Sequence, residues 1–500
     1  MRGLQLTIAT TLVCGLAAAQ TAAEQLPDLG APAAAPDGAP ANSDAIDRDG
    51  LRAHAYWLAD DARGGRHTAS QGQRDTADYV AAHFKKLGLK PLGGKRKFLQ
   101  EYPIERLVLH KSTGLTFGRT KVRAAGFAVL HSSDKDKVSL KGKLLNCGSG
   151  AQLPSSLKGR VPVVVFDRGA TRGGVGGDLQ AVQRYVQLSR KLKRAGAKAA
   201  VVCLMDDGGS LANTLNYRGL MPDHGVMSFG SKSRPTTQVP LFVLDRPNSE
   251  ALLAHMDDDK ASATLKLQVQ RERKASAVNV CAVLEGTSKK SQAVVISAHH
   301  DHVGTRLDGD RFNGADDNAS GTAGLLELAE AFATAGERPA RSIVFLSVSG
   351  EELGLWGSAY YADHPTWPKD RIVANVNIDM IGRAGRDGEQ LQMQITPSHR
   401  HPKYSTLVQD AVALGPKFGV RFSSGDTYYQ RSDHYNFAKE GIPVVFFCDG
   451  EHPDYHQVTD HADKLDYPAM EAITRLAYWT VWNAADAKGA IKELGAQQGW

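Results

Sequence analysis

The sequence predicts an α/β fold with a mostly parallel sheet, and three observations carry that expectation. From about Ser276 onward, strand-like, loop and helix-like stretches repeat in turn. The runs AVVISAHHDHVG, IVFLSVSGEELG and VANVNIDMIG are rich in Val, Ile and Leu, as strands covered on both faces are. Each ends in acidic or histidine residues, at the carboxyl end where α/β sheets place their sites.

The elements follow in chain order. Arg2, the apolar stretch Leu4 to Ala19 and the small residues Ala17-Ala18-Ala19 or Thr21-Ala22-Ala23 read as a signal peptide over 1–23. Export to a periplasm or the medium is expected. Val13 before Cys14 argues against a lipid anchor. No later apolar run reaches the roughly 18 residues a membrane span needs, so no stable membrane insertion is expected. Residues 24–47, rich in Ala, Pro and Asp, read as a disordered linker. Helices are expected over Leu51–Ala59 and Thr76–Leu87, the second with Val80, Phe84 and Leu87 on one face and Gly88 as its stop.

Between 120 and 266 the character changes. Short strands (Val161–Phe166, Ala199–Leu204, Pro240–Leu244) alternate with Gly-rich loops and one basic helix, Ala181 to Ala195. None of the acidic and histidine clusters falls here, so the segment reads as an insert that is separable from the chemistry. It divides one domain into 48–119 and 267–485, and the polar tail 486–500 is expected to fray. Five hundred residues accommodate two or three such units.

Composition narrows the function. Apolar content of 42% and charged content of 23% fit a folded soluble protein, and a net charge of +6 is mild for this length. The basic runs Lys85–Lys97 and Arg190–Lys198 lack interleaved aromatics and read as solvated faces, so no nucleic-acid partner is expected. Removing Cys14 leaves Cys147, Cys203, Cys281 and Cys448 without a CxxC. Cys147–Cys203 is a conceivable pair in an exported protein, and free buried thiols are the alternative.

The chemistry concentrates at His299, Asp301, Asp317, Glu351, Glu352, Asp379 and His456. Imidazoles and carboxylates without thiolate suit a hydrolytic metal rather than a structural one. His299 and Asp301 stand two apart, so in extended chain they share a side, and Asp301 is the natural carboxylate partner for a metal-bound imidazole. Adjacent Glu351 and Glu352 suit one ligand and one base. Singly these residues are ordinary caps, turns or surface groups; together at strand ends flanked by glycine they are not. No HExxH or GxSxG is present, and Ser297 stands where an HxHxDH pattern needs its first histidine.

The set HxD (His299, Asp301), GADDNASG, SGEELGLWGS, NIDMIGR, SDHYNF (Ser432–Phe437) and YHQVTD resembles the M28 family of co-catalytic zinc exopeptidases, in its bacterial secreted branch. The likeness extends from Leu51 to about Ala484. The insert resembles a protease-associated domain through LKGRVPVVVFDRG, LSRKLKRAGAKAAVVC and VPLFVLDR. The resemblance implies a mixed, mostly parallel sheet with helices on both faces and two zinc ions per chain. Asp317 would bridge them, with His299 and Asp379 completing one coordination sphere and Glu352 and His456 the other. Glu351 would be the general base, Asp301 the orienter of His299 and Tyr455 an oxyanion stabiliser, with a cis peptide after Asp317. Peptides would be cut at their N-terminal residue. A dipeptidase or carboxypeptidase of the same family, or a noncatalytic interaction protein on the scaffold, are the alternatives. Arg383 and Arg431 lie near these motifs as candidate anchors for a substrate carboxylate or as plain surface residues, and the sequence does not decide between the two. Nothing in the sequence indicates an oligomeric state.

Overall fold

The computed structural model describes residues 42–500 apart from 96, 131–135, 167–174, 206–209, 222–223, 231–236, 259 and 498–500. The expected signal peptide and most of the expected linker lie outside the described residues. Four parallel strands form the centre of the first sheet, in the order Arg341–Val348, Lys289–His299, Ile372–Ile378 and Val444–Cys448. Antiparallel neighbours flank them: Ser262–Leu284 on one side and Gln390–Thr396 on the other. This is the mixed, mostly parallel sheet the sequence predicts. All eight residues of Arg341–Val348 are buried, as expected of a strand covered on both faces. The parallel register sets His299 level with Val348, Ser297 with Asn377 and Ile378 with Phe447, so four strands end at one edge.

Helices Arg48–Leu58, Gly321–Thr334 and Tyr467–Asp486 pack together, the latter two directly on the central strands. Helix His434–Lys439 packs on Ile372–Ile378 and Val444–Cys448, and Trp356–Asp363 packs on that helix and on Ser262–Leu284. The helices expected near Leu51 and Thr76 form as Arg48–Leu58 and Gln71–Lys86. Asp47 and Ser70 cap these two by accepting from Gly50 N and Gln73 N. Ile46 is fully buried and Asn42 donates to Ala331 O, so the packed chain begins before the linker boundary at 47.

A second sheet is built mostly from the insert, with Lys137–Asn146, Arg160–Phe166, Ala200–Leu204 and Leu241–Leu244 parallel in that order. Its other strands include Gly114–Phe117, which precedes residue 120. The 23-residue strand Ser262–Leu284 belongs to both sheets. Its first seven residues pair with Lys137–Asn146, and from Val269 it pairs with Leu99–Leu109. Within the insert's range, Val226–Ser228 also pairs with Leu99–Leu109.

Cys147 and Cys203 are both free and belong to different hydrophobic clusters, so of the two readings it is the free buried thiols that the structure shows. One expectation needs correction. The tail does not fray over its described part. Thr406 N donates to Lys492 O, Leu494 N to Tyr404 O and Gln497 N to His399 O, which ties polar sequence down through backbone groups.

Candidate metal centre

The level ends of the central strands bring the separated motifs together. His299 Nε2 lies 3.1 Å from Asp379 Oδ1 and 3.2 Å from Asp317 Oδ1. His456 Nε2 lies 3.0 Å from Asp317 Oδ2 and 3.1 Å from Glu352 Oε2. Asp317 therefore turns one oxygen toward each imidazole. Glu351 offers an oxygen close to the donor atoms of His299 and Asp379, and His302 a nitrogen close to those of Asp317 and Glu352. The Tyr455 ring stacks on His456 at 3.9 Å between centroids.

Local chain geometry explains these positions. Asp317 leaves helical geometry (φ −105°, ψ 95°), and the Asp317–Asn318 peptide is cis. Asn318 Oδ1 accepts from Gly321 N at 2.8 Å and supports the start of the following helix, which leaves the Asp317 carboxylate free to face the imidazoles. Asp460 accepts from the backbone N–H groups of Asp316 and Asp317 and anchors the loop from the other side. Gly314, at φ 55°, allows a close approach: a Cβ there would stand 2.4 Å from His302 Cδ2 and 2.2 Å from Asp317 O. Met380 (φ 62°) and His456 (φ 54°) hold left-handed backbone that side-chain-bearing residues avoid, so surrounding contacts must impose it.

Asp379 sits at the end of a directed hydrogen-bond chain beneath the site. Asn375 donates to Ser297 Oγ (2.9 Å), Ser297 to Asn377 Oδ1 (2.6 Å), Asn377 to Ser432 Oγ (2.9 Å) and Ser432 to Asp379 Oδ2 (2.7 Å). Every hydroxyl in it both accepts and donates, which polarises the chain toward the carboxylate. Asp301 faces His299 and two other groups. Its carboxylate lies 3.7 Å from His299 Nδ1, and its backbone oxygen is at 3.2 Å. The carboxylate also accepts from Thr68 Oγ1 (2.7 Å) and Glu351 N (3.3 Å), so it fixes the Glu351 backbone as well as facing the histidine.

The electrostatics separate the two neighbouring glutamates. Burial pushes the Glu351 carboxyl well above its ordinary range; Asp379, Asp433 and Glu352 add to this, against His299. Burial would also raise Glu352, yet His456 and His302 outweigh it and hold the group down at about 2. Asp317 is lowered against burial by its bonds to His299 and His456. Burial raises the Tyr455 hydroxyl, and the charges of Asp317, Glu352 and Glu351 raise it further, so it stays a proton donor. One carboxylate is thus held ionised and its neighbour is poised to take a proton.

Several residues at this edge were not singled out from sequence as parts of the site. His302 Nδ1 lies 2.6 Å from Glu352 Oε1. The buried Arg66 guanidinium donates to the carbonyls of Leu58, His300, Asn313 and Gly314, gathering the segments before and after the loop. Insert residues also reach the site, contrary to the expectation of a separable insert: Tyr217 OH lies 2.9 Å from His456 Nδ1. Arg383 and Arg431 are engaged by acids, with Asp454 at 3.0 Å and Glu451 at 2.7 Å.

Residues 279–481 match the family described as Peptidase family M28. Aminopeptidase YwaD of Bacillus subtilis is 24% identical over 374 residues, 73% of this chain and 72% of the relative. A probable zinc metalloprotease of Pyricularia oryzae is 40% identical over 260 residues, 43% of this chain and 51% of the relative, so the chain spans about half the length of that protein. A solved zinc aminopeptidase from Bacillus subtilis shares the fold at a TM-score of 0.60 and 19% identity, covering 89% of this chain and 97% of that one. Sheet edge, loop and strand-end acids all fall within residues 279–481, the segment that matches peptidase family M28.

Proposed function

We propose that this chain is an exported zinc aminopeptidase that carries two zinc ions and removes N-terminal residues from peptides. The observation that carries the reading is the bridging posture of Asp317, one oxygen toward His299 and the other toward His456. The donors are buried imidazoles and carboxylates, a set that suits zinc in a hydrolytic role. His299 and Asp379 with one Asp317 oxygen would hold one ion, and His456 and Glu352 with the other oxygen the second. Zinc held there supplies a Lewis acid and brings the pKa of water down toward about 7.

The chain's own residues do the rest. Glu351, with its raised pKa, takes the proton from attacking water and passes it to the leaving amine. Tyr455 donates its hydroxyl proton as a hydrogen bond to the oxyanion that develops on the scissile carbonyl. Asp301 holds the Glu351 backbone through its amide. Negative charge from Glu351 and Asp379 attracts a substrate α-ammonium. Arg383 and Arg431 are both paired with acids, which argues against a built carboxylate anchor from those two residues. Relatives with aminopeptidase in their names support the same direction. Export rests on the N-terminal sequence, and we read 120–266 as a protease-associated type of insert from its strand motifs.

Metal analysis joined to substrate profiling tests the reading. Two zinc ions per chain and loss of activity to 1,10-phenanthroline are expected. N-acetylation of a good peptide substrate should abolish turnover, whereas C-terminal amidation should barely change kcat/KM. Full activity with one ion or none would refute the two-zinc part. Tolerance of blocked amines with rejection of amidated C-termini would move the protein to carboxypeptidase chemistry.

A further inference from the structure

The helix Ser210–Arg218 of the insert presents Asn213, Asn216 and Tyr217 at spacings of three and four, which places them on one face. That face meets two loops of the metal edge. Asn216 Nδ2 donates to Val303 O (3.1 Å) and Thr305 O (2.9 Å), just after His302. Asn213 Nδ2 reaches His456 O (3.4 Å) and Gln457 Oε1 (3.3 Å). Tyr217 OH meets His456 Nδ1 at 2.9 Å. Both asparagines are buried, so these contacts are made away from competing water.

His456 needs such support more than its counterpart does. It sits in a loop with left-handed backbone, whereas His299 ends a central strand and finds a partner for Nδ1 in Asp301 O of its own chain segment. With zinc on His456 Nε2, between Asp317 and Glu352, Nδ1 would carry the proton and donate it to the Tyr217 oxygen. A metal-bound imidazole whose other N–H is held in this way keeps one tautomer and one ring orientation and is more basic toward the metal.

We propose that Tyr217 is a positioning residue for one of the two zinc ions, so that the insert completes the metal centre from outside the peptidase sheet. The assignment rests on the two-zinc reading above. It makes the two metal positions unequal: one is supported by its own strand, the other by a hydroxyl borrowed from the insert.

The test is zinc binding by the full-length Tyr217→Phe chain, which keeps the ring and removes only the hydroxyl. Competition with a chromophoric chelator should show one zinc held as in the wild type and the other weakened about 10–100-fold. In the zinc-loaded wild type, proton NMR should show a hydrogen-bonded His456 Nδ1–H resonance that Tyr217→Phe shifts or loses. A purely structural role for the ring would leave that signal and the difference between the two ions unchanged. Tyr217→His, whose ring nitrogen can accept the same proton, should recover part of the lost affinity. If Tyr217→Phe binds both ions with wild-type affinity while the wild type binds two, the positioning role is wrong and the zinc reading stands. A wild-type chain that binds no zinc removes both.

Discussion

The strand-end site and the His54–Glu327 cluster both bury histidines beside carboxylates, and burial weighs on the two with opposite outcomes. At the strand ends, His299 and His456 each face two carboxylate oxygens at 3.0–3.2 Å. Burial opposes their protonation, but Asp379 and Glu351 around His299, and Glu352 and Asp317 around His456, raise both well above the ordinary histidine range. Among the helices, His54 Nε2 is 3.6 Å from Glu327 Oε1 and its Nδ1 meets Tyr79 OH at 2.7 Å. There burial, with His83 and Lys86, lowers His54 to about 3. Burial, with Asp47 and Glu330, raises Glu327 to about 8. The acids at the strand ends favour positive charge at each imidazole nitrogen, whether proton or metal ion, whereas His54 and Glu327 are both held neutral. Convergence decides: burial penalises every charge, and only several acids aimed at one imidazole overcome it.

The largest test of that contrast lies at the strand ends. Glu351→Gln should keep both zinc ions and lose roughly 10²–10⁴ in kcat, because the proton acceptor is gone. Glu352→Ala should instead lower the metal content, since it removes a donor facing His456. Zinc stoichiometry falling for the Glu351 variant alone would reverse the two roles.

A smaller effect is expected from the helical cluster. The fold holds Glu327 as the neutral acid, while the unfolded chain ionises near its ordinary value of 4.5. Its contribution to stability is therefore complete below about pH 4.5 and is lost as pH rises through about 8. At pH 8 the loss should reach roughly 3–5 kcal/mol. Thermal denaturation of zinc-loaded protein between pH 5 and 9 should show a fall that Glu327→Gln largely flattens. Parallel pH curves for the two proteins would mean that Glu327 is ionised in the fold. The smallest effect belongs to His83, whose Nε2 is 3.8 Å from a half-exposed Glu330. His83→Gln should cost under about 1 kcal/mol in urea denaturation, and a larger loss would mean that this rim contact is worth as much as a buried one.

The contrast also explains what the sequence made legible. His299, Glu351, Glu352 and Asp379 could be found because each follows a continuous apolar strand, and a parallel sheet brings such ends level. Asp317 and His456 carried local motifs of their own. Asp460 closes the YHQVTD motif, but nothing there points to the Asp316 and Asp317 amides; Thr68 and Tyr217 act across more than two hundred residues on partners that no spacing links to them. Tyr217 in particular lies on a short helix whose sequence, SLANTLNYR, says only that one side is polar. The tail escaped for another reason: it is tied mainly through backbone groups, which every residue has. The Asp301 carboxylate was read toward His299, and Thr68 and the Glu351 amide, both outside its own segment, also hold it.

The strand Ser262–Leu284 has a bearing on how such chains can be rebuilt. Its register slips between Glu272 and Ala275, with Leu99–Leu109 as its neighbour on both sides of that bulge. Before it lie the partners of the insert's sheet; beyond it lies the ladder that reaches Arg341–Val348 and, through it, the glutamate pair. A recombination junction placed at 266 would therefore cut inside a ladder, leaving donors and acceptors of Lys137–Asn146 unmatched in one product. Exchange between relatives would keep both sheets closed only if the whole strand travelled together with Leu99–Leu109 and Gly114–Phe117, so the heritable unit is larger than the piece that looks detachable.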